Sequence, residues 1–107
     1  MSGRPLRIGA GQLGPISRDA SRKNVIDRLI ALLEEAHRSE VDLIIYPELA
    51  LTTFFPRWYL EEDATIDGFF ETEMPGPETQ RLFDSAMSFG IGFCLGYAEL
   101  TLSLIHI

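Results

Sequence analysis

Two short apolar stretches of strand character flank one long amphipathic helix within about the first 45 residues, and that order favours a mixed α/β fold. In the first stretch, Leu6 to Leu13, the residues Leu6, Ile8, Ala10 and Gln12 share one side at period two, and Gly14-Pro15 ends it. From about Ser21 to Ser39 the apolar residues Val25, Ile26, Leu29, Ile30, Leu32, Leu33 and Ala36 recur at intervals of three and four. This spacing predicts a helix with a broad buried face, with Asp19 or Ser21 as its cap. Asp42-Leu43-Ile44-Ile45-Tyr46 follows after a break of two or three residues, and its unbroken apolar centre suits a strand buried on both faces.

Beyond this βαβ-like opening the pattern is less regular. The segment from Leu49 to Pro77 contains Phe54, Phe55, Trp58, Tyr59, Phe69 and Phe70, too many aromatic rings for a disordered linker. It predicts a packed loop with a short helix near Ala64 to Phe70. Gly76-Pro77 then opens a second helix with Leu82, Phe83 and Ala86 as its apolar stripe and Gly90 as its stop. Ile91 to Leu100 predicts a third strand whose faces differ: Ile91, Phe93, Leu95 and Tyr97 point one way, and the small residues Gly92, Cys94, Gly96 and Ala98 the other. A face so small lets another layer approach closely. The last seven residues, 101–107, have no turn former and no cap and run on from that strand, as in a chain that stops or changes frame in mid-fold.

Composition narrows the setting. A length of 107 residues allows one domain and no second. The single cysteine, Cys94, cannot form an internal disulfide, and the N-terminus lacks the apolar run of a signal peptide. No uncharged apolar stretch approaches the ~18 to 20 residues that span a bilayer, so a cytoplasmic protein without membrane contact is expected. Residues 1–38 hold seven Arg/Lys against four Asp/Glu, while residues 39–107 hold two against twelve. Seven carboxylates and no base lie between Trp58 and Gln80, which disfavours nucleic acid as a partner. Glu61, Glu62 and Asp63 read as a solvated face.

The sharpest local feature is Ile44-Ile45-Tyr46-Pro47-Glu48. Proline holds Tyr46 extended and ends the strand, so that the next residue, a carboxylate, emerges at the strand's outlet, where α/β proteins bind ligands. By pattern alone Glu48 is a catalytic candidate or an exposed loop charge. Cys94 lies among Gly92, Phe93, Leu95 and Gly96 with no cation near in sequence, which reads as inert buried packing rather than a nucleophile. His37 and His106 form no triad or metal spacing, and Lys23 lies near the start of the first helix, facing solvent. There is no zinc pattern, P-loop or GxGxxG, so neither cofactor nor metal is expected.

Pro47-Glu48 and its surroundings resemble the carbon-nitrogen hydrolase (nitrilase) superfamily. Pro47 to Trp58, Glu71-Thr72-Glu73-Met74-Pro75-Gly76-Pro77, Gly90 to Phe93 and Leu95 to Leu100 are similar, within that superfamily, to the N-carbamoyl-D-amino acid hydrolases. Many other members have Gly-Tyr a few residues after the glutamate, where this chain has Thr53-Phe54-Phe55-Pro56. The resemblance covers about residues 6–100, with 101–107 an anomalous tail that leaves the family's hairpin continuation. It implies the N-terminal part of a four-layer αββα sandwich and a Glu-Lys-Cys triad, in which Glu48 is the general base and proton acceptor. It also implies an N-carbamoyl amino acid substrate and a homo-oligomeric intact enzyme. Only Glu48 carries over, because the family's Lys and Cys lie beyond residue 107, and Lys23 and Cys94 do not occupy their motifs. The 107-residue chain is therefore expected to be an inactive N-terminal portion of a longer amidohydrolase, its apolar sheet surface uncovered. Two further readings stay open: another superfamily amidohydrolase, β-ureidopropionase-like or a nitrilase, and a non-catalytic α/β module binding a partner through Phe54 to Tyr59.

Overall fold

A computed structural model describes residues 3–57 and 66–100 and the backbone of residues 105 and 106. Three parallel strands, β1 (Ile8–Ala10), β2 (Leu43–Ile45) and β3 (Gly92–Cys94), form a sheet in chain order. Helix α1 (Arg22–Arg38) connects the first pair, and α2 (Gln80–Phe89) precedes the third strand. The register places Leu43 between Ile8 and Gly92, and Ile45 between Ala10 and Cys94. A short antiparallel ladder, β4 (Glu99–Leu100) with β5 (Ile105–His106), pairs Glu99 with His106. No helix among the described residues is long and apolar enough to cross a membrane.

Helix α1 forms where the periodicity places it. Ser21, of the two candidate caps, accepts a hydrogen bond from the Asn24 amide at 3.1 Å. Val25, Ile26, Leu29 and Leu33 are fully buried against Ile44, Leu82, Ala86 and Ile91, each stabilising the fold by about 1.5–3 kcal/mol. Tyr46 extends the same face and donates its hydroxyl to the Leu29 carbonyl at 2.8 Å; burial holds this phenol in its neutral form. Gly90 ends α2 in the left-handed conformation at φ 69°, as its type predicts. The helix itself begins at Gln80, with Gly76 to Thr79 forming the turn before it.

Both helices cover one side of the sheet, so β2, expected to be buried on both faces, is covered on one only and leaves Ile45 44% exposed. The more apolar side of the first strand, with Leu6, Ile8 and Ala10, is the exposed one, and Leu13 on the other side is buried. Gly9 and Gly11 permit this inversion. A Cβ on Gly11 would lie 2.9 Å from the Tyr46 ring and 3.1 Å from the Ile44 side chain, so only glycine lets those core residues close over the strand. Cys94 is likewise exposed, not buried, because it shares the uncovered side with Ile45 and Ala10.

A second, smaller cluster of Leu49, Phe55, Phe70 and Ala98 lies beyond the sheet. Glu71 ties it to α1. Its backbone bonds to the Ala98 carbonyl and the Leu100 amide, and its carboxylate meets the Arg22 guanidinium at 2.5 Å with both side chains about 85% buried (15% and 14% exposed). Arg22 also donates to the Gly68 carbonyl at 2.9 Å. Arg22→Ala leaves a half-desolvated carboxylate and an open carbonyl, and should destabilise the chain by about 2–3 kcal/mol, somewhat less than for a fully buried pair. Urea denaturation of the two chains measures the difference, with Arg22→Lys recovering only part of it.

Candidate active site

The sheet strands end together, and the site is built where they end. After β2 the backbone continues the ladder for one more residue, with Tyr46 N–H donating to the Cys94 carbonyl at 3.0 Å. Pro47 then stops pairing, and the Ala50 amide re-engages at the Gly96 carbonyl, 2.9 Å away. Glu48 occupies the span between these two anchors. Its neighbour Leu49 has φ 49°, a left-handed conformation that a branched aliphatic residue adopts at a cost of about 1–2 kcal/mol. What offsets that cost is burial: the Leu49 side chain, 3% exposed, is drawn into the cluster with Phe55 and Phe70. Turning Leu49 inward leaves Glu48 on the outside of the turn, with its carboxylate exposed and without a hydrogen-bond or ion-pair partner among the described residues.

Gly96 fixes this segment from beneath. A Cβ there would lie 3.2 Å from both Glu48 Cα and Leu49 N and 3.3 Å from the Pro47 oxygen. The small side predicted for residues 92–98 is thus put to two uses. Gly92 and Cys94 lie on the uncovered sheet face, and Gly96 receives the Glu48 turn. The strand predicted over Ile91 to Leu100 is correspondingly two short strands, β3 and β4, separated by the residues that pass under the turn.

A cavity of about 150 Å³ opens beside Glu48, lined by Leu13 to Ile16 from the loop after β1 and by Pro47 to Ala50 and Thr52 to Phe54 from the loop after β2. Both loops leave the carboxyl ends of adjacent parallel strands, the place where α/β sheets accept ligands. Arg28 from α1 holds the first loop, donating to the Leu13 and Pro15 carbonyls at 2.5 and 3.1 Å. Thr52, 6% exposed, donates to the Thr53 carbonyl at 2.9 Å.

Residues 7–103 match the carbon-nitrogen hydrolase family model. The chain belongs to the carbon-nitrogen hydrolase family. Membership carries a carbon–nitrogen hydrolase kind of function, and the parallel three-stranded sheet with its two helices is compatible with part of a nitrilase-like fold. Within this hydrolase chain the other reactive side chains lie away from Glu48. Lys23 pairs with Asp27 at 3.0 Å one turn along α1, and together with Arg81 it holds the Asp27 carboxyl below its ordinary range. Cys94 sits on the bare face of β3. His37 stacks on Phe89 with ring centroids 4.5 Å apart, at the junction of the two helices. None of these residues lines the Glu48 cavity.

The aromatic loop divides in the same way. Phe55 is core, stacked on Phe69 and tilted against Phe70 at 5.3 Å each, whereas Phe54 is 45% exposed at the cavity rim. Trp58, Tyr59 and the acidic run Glu61 to Asp63 lie outside the described residues, as does the start of the helix predicted near Ala64. Sequence reasoning singled out Glu48 but not Leu49, Thr53 or Gly96 as parts of its setting. The small face at Gly96 was the signal closest to hand; an inverted φ at leucine leaves none.

Proposed function

We propose that residues 6–100 are the N-terminal portion of an N-carbamoyl-D-amino acid amidohydrolase, and that Glu48 is the general base of its Glu-Lys-Cys site. One observation carries this reading: a carboxylate without a partner among the described residues, set by an inverted turn at the outlet of two parallel strands, borders a small cavity in a chain of the carbon-nitrogen hydrolase family. A cysteine thiol with pKa near ~8.5 is only a few per cent ionised at neutral pH, so a carboxylate acceptor beside it raises its reactivity. In the scheme that the resemblance implies, Glu48 takes the thiol proton, the thiolate attacks the ureido carbon, and a lysine stabilises the oxyanion. Water then releases the enzyme, giving the D-amino acid, carbon dioxide and ammonia. The lysine and cysteine come from chain beyond residue 107, since Lys23 and Cys94 lie elsewhere. That further chain would also complete the αββα sandwich, and the 107 residues alone are inactive.

The test is ammonia release by the full-length enzyme from N-carbamoyl-D- and N-carbamoyl-L-amino acids. The D form should be cleaved selectively, and Glu48→Gln should lower kcat by at least about 10³-fold while the enzyme still folds and melts cooperatively, since glutamine keeps the size and shape of the side chain. A Glu48→Gln enzyme with near-normal turnover removes Glu48 from the mechanism. Preference for a simple amide or a nitrile moves the assignment to another member of the superfamily.

A further inference from the structure

Arg28 on α1 grips the loop of residues 13–16 with both ends of its guanidinium: Nη2 donates to the Leu13 carbonyl at 2.5 Å and Nη1 to the Pro15 carbonyl at 3.1 Å. It forms no ion pair with a carboxylate among the described residues, so its donors are given over to these two neutral oxygens. The loop has little else to fix it. No backbone hydrogen bond among the described residues involves residues 13–16, and Pro15 has no amide hydrogen to offer one. Gly14, at φ 77°, and Pro15 are exposed, between Leu13 in the core and Ile16 packed against it. Two donors of one rigid plane, on carbonyls either side of a left-handed glycine, set the direction of the loop as well as its distance from the helix.

The same four residues line one part of the Glu48 cavity, and the loop after β2 lines the rest. Water satisfies the carbonyl of an exposed residue, so the bond to Pro15 adds little to folding. What it fixes is where this wall of the cavity stands. We propose that Arg28 is a positioning residue for the substrate, setting the width of the Glu48 cavity by pinning residues 13–16. This rests on the amidohydrolase reading above and extends it to a residue outside the cavity lining. A released wall spends part of its time away from the binding geometry, and affinity falls with the fraction of time that it is in place. A cavity of unfixed width also separates small from large side chains less sharply, because size discrimination depends on close contact.

The experiment compares Arg28→Met and Arg28→Lys with the parent in the full-length hydrolase, with Glu48→Gln alongside. The substrates are N-carbamoyl-D-alanine and N-carbamoyl-D-phenylalanine. Arg28→Met, which keeps the aliphatic stem, should raise KM for the smaller substrate about five- to tenfold and for the larger one less, with kcat within about twofold. Lysine reaches one carbonyl at a time, so Arg28→Lys should fall between methionine and the parent. Hydrogen exchange locates the effect: residues 13–17 should exchange faster in Arg28→Met while α1 keeps its protection. If methionine folds poorly, Arg28→Lys carries the test through the same, smaller rise in KM. An arginine needed only for folding would lower the melting temperature and the active fraction, and so kcat, at an unchanged KM; that result overturns the proposal. So does faster exchange of residues 13–17 with a parental KM, or a KM raised equally for both substrates. An inactive Glu48→Gln beside an unaffected Arg28→Met sinks the Arg28 assignment alone, whereas an active Glu48→Gln sinks the reading on which it rests.

Discussion

Gly96→Ala should lower the stability of the hydrolase by about 1–2 kcal/mol and its kcat by at least about tenfold, although it adds a single methyl group several residues from any reacting atom. The added carbon would sit 3.2–3.3 Å from three backbone positions, Glu48 Cα, Leu49 N and the Pro47 oxygen, none of which can rotate aside. Overpacking of this kind costs about 1–3 kcal/mol, and the lower unfolded-state entropy of alanine returns only about 0.4–1. The Glu48 turn must yield. Its flanks are hydrogen-bonded at Tyr46 and Ala50, so the displacement concentrates on Pro47 to Leu49 and moves the carboxylate by a few tenths of an ångström. A misplacement approaching 1 Å can cost ~10²-fold in rate, which sets the scale of the kcat effect. Gly92→Ala in the 107-residue chain is the matched control for stability: its nearest neighbour there is the end of the flexible Leu43 side chain at 3.4 Å, so stability should hardly change. Denaturant melts of both variants of the short chain, and steady-state kinetics of Gly96→Ala against the parent enzyme, decide the matter. A Gly96→Ala chain as stable as Gly92→Ala, and a Gly96→Ala enzyme as fast as its parent, would show that Gly96 does not set the position of Glu48.

How far this setting could be read in advance follows from what each signal measures. Periodicity at three and four residues placed α1 within one residue of its observed Arg22–Arg38, because one covered face is enough to specify a helix. The apolar run and the Pro47 stop likewise placed β2 and put Glu48 at its outlet. Period two in a strand separates two faces without saying which one is covered. In β1 the helix-side face contains Gly9 and Gly11, whose missing side chains make room for Val41, Ile44 and Tyr46. Hydrophobicity alone therefore does not identify the covered side. The same ambiguity exposes Cys94, whose apolar neighbours in sequence lie on the opposite face or at the strand ends. Leu49 was illegible for another reason. Its importance comes from a positive φ, a product of its tertiary contacts with Phe55, Phe70 and the backbone over Gly96 rather than of any local pattern.

Ile45→Asp should have opposite consequences in the 107-residue chain and in the full-length enzyme, and that contrast tests what covers the sheet. Ile45 is 44% exposed, flanked in register by Ala10 and Cys94, with Ile8 at 55% and Leu6 at 58% exposure on the same side. Parallel sheets are ordinarily covered on both faces, and the proposed αββα sandwich would lay a second sheet on this one. In the short chain the substitution puts a carboxylate where water already reaches. It should cost less than about 1 kcal/mol and reduce self-association, because it breaks a contiguous apolar patch. In the full-length enzyme the same carboxylate would be buried without a partner at a cost of at least about 3 kcal/mol, a large share of the ~5–15 kcal/mol that holds a domain together, and soluble yield should collapse. Cys94 supplies an independent readout on the same face. Its thiol should react readily with a disulfide reagent in the short chain and be protected in the folded enzyme until global unfolding. Equal tolerance of Ile45→Asp in both proteins, with Cys94 equally reactive in each, would mean that nothing packs on this face and that the sandwich is the wrong completion of the fold.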